Sequence, residues 1–90
     1  MPPKRYEVQA KVISIKGTCN AGHNVGDEWV IGRTTPEGIC LSAFNSIFPN
    51  LRILQFGGSP PGSDDPESTR SACPDPKNEL VIELRRIRKD

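Results

Sequence analysis

Cys40, Ala43, Phe44, Ile47 and Phe48 recur at i, i+3, i+4, i+7 and i+8, the spacing that lines one face of an α-helix. Pro49-Asn50 follows. A proline has no N–H and its ring clashes with the preceding turn, so the spacing predicts a helix of about three turns that ends there. An apolar stripe must be buried against something, and in the other long segments apolar residues alternate instead of recurring by helical turns. The chain is therefore constrained to lay one short helix against a sheet.

Tyr6, Val8, Ala10 and Val12 alternate with Glu7, Gln9 and Lys11, the period of a half-buried strand. The phase then flips to Ile13 and Ile15, which predicts a bulge or bend near residue 12 or 13. A glycine-punctuated loop spans 17–27, and Val25-Gly26-Asp27 turns into a second strand over 28–33, with Trp29 and Ile31 on one face. Leu51, Ile53 and Gln55 alternate with Arg52, Leu54 and Phe56, which reads as a third short strand. Leu80, Ile82 and Leu84 form one face of a last strand over 80–87. Between them, residues 57–78 are rich in Pro, Gly, Ser and Asp and read as one long loop, and residues 86–90 as a basic tail. The fold class is α+β: a single domain over 1–90, of about four mostly antiparallel strands with one short helix.

A domain of ninety residues buries only roughly 60–65% of its unfolded surface. Its large packing groups are few: Tyr6, Trp29, Phe44, Phe48 and Phe56. Small domains with thin cores lean on a metal, a disulfide or a partner subunit, so self-association is expected and the cysteines and histidine carry weight. The charge of +1, from 12 basic and 11 acidic residues, argues against a nucleic-acid binder, whose affinity comes from a basic excess. The local cluster Arg85, Arg86, Arg88 and Lys89 reads as a solvated strand end. Residues 1–6 lack the apolar stretch of a signal peptide and no run reaches membrane-spanning length, so neither membrane nor export is expected. An odd cysteine count fits reducing cytoplasm, with thiols or thiolate ligands instead of disulfides.

The chain has three cysteines and one histidine: Cys19 and His23 in one loop, Cys40 at the helix start, and Cys73 in Cys-Pro-Asp-Pro. Four such ligands could converge on one tetrahedral zinc or iron, and a Cys–His spacing of four in a glycine-containing loop suits a chelate. Asp27, Glu28 and Asp75 are then the candidate acid–base groups for a small polar substrate, and Arg85 the candidate anchor for its carboxylate. Hydrolysis, hydration and decarboxylation all suit such a Lewis-acid site. Two other readings stand beside this one. Cys40 at a helix N-terminus could be a catalytic thiolate with His23 as its base, without metal. Alternatively, a metal-stabilised module could dock on a partner protein through 57–78 and the basic tail.

The loops also carry a pattern. Gly17-x-Cys19-x-x-Gly22-His23-x-Val25-Gly26-Asp27-Glu28 is followed by Pro36-x-Gly38-Ile39-Cys40-x-x-Ala43-Phe44, Phe56-Gly57-Gly58, Cys73-Pro74-Asp75 and Glu83-Leu84-Arg85-Arg86. In this order they resemble a family of small, functionally uncharacterised prokaryotic and fungal proteins, over almost the whole chain. The resemblance implies that all three cysteines and His23 belong to the family pattern, and it lends no activity. This chain departs from it at Pro60-Pro61-Gly62, where relatives often carry Pro-Trp after Phe-Gly-Gly, so a shared substrate does not follow.

Overall fold

A computed structural model describes residues 5–17, 22–59, 65–72 and 79–87. Its elements are β1 (Glu7–Ser14), β2 (Glu28–Ile31), α1 (Leu41–Gln55), β3 (Ser68–Ala72) and β4 (Val81–Ile87). The strands form one antiparallel sheet of order β2-β1-β4-β3, with α1 laid over β1, β4 and β3. The α+β architecture expected from the sequence is the one observed. No helix among the described residues is long and apolar enough to cross a membrane.

The alternation in β1 does what its period dictates. Val8, Ala10 and Val12 are fully buried under the helix, and Ile82 and Leu84 of β4 join them on the same face. The expected bulge is present: Val12 pairs with Ile82 and Ser14 with Val81, so Ile13 is the extra residue that shifts the register.

Two expectations are corrected. The helix does not stop at Pro49 but runs through it to Gln55, and so absorbs the third strand read over 51–56. Proline in a helix interior costs about 3 kcal/mol. Against that, Leu51 and Leu54 are fully buried, at about 1.5–3 kcal/mol each, and they extend the stripe of Ala43 and Ile47 by whole turns. Pro49 lies on the exposed side, as does Asn45, whose carbonyl would have received the missing N–H, so water can satisfy it. The alternation at 51–56 was a helical stripe crossing a short window.

The third strand is instead β3, inside the segment read as loop. Ser-Thr-Arg-Ser-Ala carries no apolar alternation, because it is an edge strand whose inner face is polar. Ser71 Oγ accepts a hydrogen bond from Asn50 Nδ2 at 3.3 Å, and Ser46 Oγ donates to the Ala72 carbonyl. Hydrogen bonds to α1 seat this strand.

The Phe56-Gly57-Gly58 motif ends the helix. Gly57, at φ +88°, donates to the Leu54 carbonyl at 3.2 Å, and Gly58 to the Ile53 carbonyl at 2.9 Å. This pair of bonds is a Schellman closure, which needs a left-handed residue where Gly57 stands.

Candidate functional site

At one end of the sheet lie His23, Cys40 and the described residues that come before Cys19 and Cys73 in the chain. β1 ends there at Ser14 and β2 begins there at Glu28, while Ala72 at the end of β3 pairs with Val81 at the start of β4. The N-terminus of α1 lies at this end too, held by Ser46 to the Ala72 carbonyl. Its C-terminus lies at the other end, where the Gln55 carbonyl receives Tyr6 N at 2.8 Å and the Leu54 carbonyl receives Arg86 Nε at 2.9 Å.

His23 is buried (6% exposed), with its ring edge-on to Trp29 at 5.1 Å between centroids. Its Nε2 accepts the backbone N–H of Cys40 at 2.9 Å. An imidazole nitrogen has one lone pair, and this bond engages the one on Nε2. It leaves no lone pair on Nε2 for the Cys40 thiol or for a metal while it lasts. The bond also joins two loops: it ties residues 22–27 to the start of α1, next to Trp29 of β2. Cys40 itself is the half-buried N-cap residue, a free thiol with no side-chain capping bond, and the first turn of α1 contains no acidic residue. The positive end of the helix is thus uncompensated by any carboxylate of its own first turn.

Asp27 lies in the same loop as His23, where its carboxylate Oδ2 accepts Asn24 N at 2.8 Å and its N–H donates to the Asn24 carbonyl at 3.0 Å. Gly26, at φ +99°, sits at the position of that turn that needs a positive φ. Asp27 therefore closes the turn into β2. Glu28 opens β2 on the sheet face away from the helix, accepting Gln9 Nε2 at 3.2 Å. Arg85 is on that same outer face, 3.0 Å from Asp65 Oδ2 and 3.9 Å from Glu83 Oε1. Glu28 and Arg85 are thus directed away from Cys40, which packs on the helix-side core. Cys19, Cys73 and Asp75 lie outside the described residues. Among the described residues, no three of His, Cys, Asp and Glu approach closely enough to hold a metal ion.

The sequence placed Arg86 in a solvated basic tail, and the structure corrects this. Arg86 is a buried strand residue with its side chain 3% exposed. Its guanidinium donates to the Leu54 carbonyl, to Glu67 Oε2 at 2.7 Å and to the Gly58 carbonyl, and it lies over the Tyr6 ring. Strand parity carried the signal: Arg86 shares the helix-side face with Ile82 and Leu84.

No family model, curated protein or solved structure matches this chain. The site is read from its own geometry.

Proposed function

We propose that Cys19, Cys40 and Cys73, with His23 beside them, form a zinc or iron centre at the helix N-terminal end of the domain. One observation carries this reading. The described residues that flank all four positions come to the same end of the sheet, although they are spread over most of the chain. Cys19 follows Gly17 by two residues on the way from β1 to His23, and Cys73 is the next residue after Ala72. The donor set suits a borderline-soft cation, since thiolates and imidazole are the ligands that zinc and iron take from proteins. Thiolates gathered here also bring negative charge to a helix terminus that no first-turn carboxylate compensates.

His23 has a defined part in this arrangement. Its Nε2 bond orients the backbone that carries the Cys40 thiol, a positioning role. With that bond in place the ligand set is three thiolates and one open position. If Nε2 instead turns to the metal, the set closes at four and the Cys40 N–H loses its acceptor. The open form would suit a Lewis-acid role toward a small polar molecule, and the closed form a stabilising one.

Cobalt(II) substitution tests both points. The reading expects thiolate-to-cobalt charge-transfer absorption that saturates at one equivalent and is weakened in each of Cys19→Ser, Cys40→Ser and Cys73→Ser. Retention of the full spectrum in any of these variants removes that residue from the set, and no charge-transfer absorption in the native protein ends the proposal. His23→Gln separates ligand from positioner: a displaced ligand-field band marks a ligand, and an unchanged spectrum with weaker binding marks the positioning role.

A further inference from the structure

The sheet is wider than the single helix that covers it. Four strands spaced about 4.8 Å apart set their outer axes about 14 Å apart, against a helix about 10–12 Å across. α1 lies over β1, β4 and β3 and makes no close backbone approach to β2. The chain leaving β2 therefore runs beside the helix, with a cleft between the two. Its empty volume is about 330 Å³, the open mouth included.

The two kinds of wall differ in chemistry. Ile31, Phe44 and Phe48 supply apolar surface, and Phe48 is 47% exposed despite lying on the helix stripe. Arg33, Thr34, Thr35 and Arg52 supply the polar part. The lining thus holds two guanidinium groups and no carboxylate. Arg52 is fixed by a bond from Nη1 to Gln55 Oε1 at 2.8 Å and by stacking on Phe56 at 4.6 Å, which uses one of its five N–H donors. Gln55 is in turn buried and donates to the Gly32 carbonyl at 2.8 Å, so helix and strand exit are locked together beneath the cleft. Arg33 is exposed and makes no hydrogen bond or ion pair with any described residue. A positioned cation, a cation unpaired among the described residues and two threonines, beside the exposed Phe48 ring and the half-buried Phe44 ring, are complementary to one kind of ligand.

We propose that this cleft binds a small carboxylate with an apolar body. The carboxylate lies between Arg33 and Arg52 within reach of the threonine hydroxyls, and the body lies against Phe44 and Phe48. The assignment does not use the cysteine–histidine end and stands or falls apart from it.

The test is amide chemical-shift mapping of the full chain titrated with phenylacetate, with phenylacetamide and inorganic phosphate as controls and Arg33→Gln as the variant. Phenylacetate should bind in the millimolar range, as suits so small a ligand, and move the amides of 33–35 together with those of Phe44, Phe48 and Arg52. Phenylacetamide should bind roughly tenfold more weakly, the loss of one charge-assisted contact, and Arg33→Gln should weaken phenylacetate to a similar degree. Arg33 has no partner among the described residues to lose, so the variant's spectrum should otherwise match the parent. The proposal is overturned by no movement at these amides, by equal effects of phenylacetate and phenylacetamide, or by equal movement with phosphate, which would make the cleft a bare anion patch. An unchanged phenylacetate titration in Arg33→Gln would overturn it as well.

Discussion

Replacing Arg86 by alanine removes a fully buried cation from three acceptors on three separate elements: the Leu54 carbonyl in the last turn of α1, the Gly58 carbonyl after it, and Glu67 ahead of β3. The partners would not suffer equally. The Leu54 carbonyl keeps the Gly57 N–H, and Glu67, with its side chain 29% exposed, can be partly rehydrated. Gly58 is exposed, so its carbonyl can also be rehydrated, and the loss falls mainly on the buried space beneath Tyr6 that the guanidinium fills. Breaking a buried charged pair from one side costs about 3–5 kcal/mol. That is a large share of the roughly 5–13 kcal/mol available to a domain of this size. Arg86→Lys keeps the charge but can replace only part of the planar fork, so it should cost about 2 kcal/mol. Urea unfolding followed through Trp29, the chain's single tryptophan, measures both variants, and the alanine variant should also lose on the order of 20 °C in Tm. Arg86→Ala within about 1 kcal/mol of the parent would refute the reasoning, and so would a lysine variant indistinguishable from it.

Three further outcomes follow from the same structure. Gly57→Ala places a Cβ on a residue at φ +88° and should cost about 1–2 kcal/mol by urea unfolding, although the new atom meets nothing closer than the Tyr6 ring at 3.7 Å; no loss would mean the helix closes otherwise. Pro49→Ala should stabilise by about 1–2 kcal/mol, because it restores the missing helical N–H, and a destabilised variant would contradict the account of the helix running through this residue. Asp65 accepts the Glu67 N–H at 2.9 Å and pairs with Arg85, and these hold its carboxyl below the usual 3.8, with the backbone bond the larger cause. The folded state then binds fewer protons, so this contribution is complete above about pH 4 and is lost as pH falls through the lower folded value. Asp65→Asn should therefore flatten the acid limb of the stability profile as pH falls below about 4, and parallel limbs in parent and variant would contradict it.

Legibility in the sequence followed the kind of residue that each element buries. β1, its bulge, β2 and β4 were readable because alternating aliphatic residues fill one face, and the register confirms each face assignment. The start of α1 was readable for the same reason. Its end was not, because one proline outweighed, in the reading, two leucines that the structure buries completely. β3 was invisible to hydrophobic periodicity, since its inner face is held by Asn50 and Ser46 through hydrogen bonds. At the site, the sequence offers Cys40 and His23 as candidates but carries no sign of the contact between them. A backbone N–H seeking an imidazole lone pair leaves no trace in spacing or composition. Arg85 and Arg86 are adjacent and chemically identical, and only strand parity separates a surface ion pair from a buried clasp.

The metal centre is tested most directly by elemental mass spectrometry of untagged protein purified without chelator, paired with a count of reactive thiols before and after chelation. The proposal predicts close to one equivalent of zinc or iron per chain, with the three cysteines protected until the chelator is added. Metal-free protein after reconstitution, with three thiols that react at once, would contradict it.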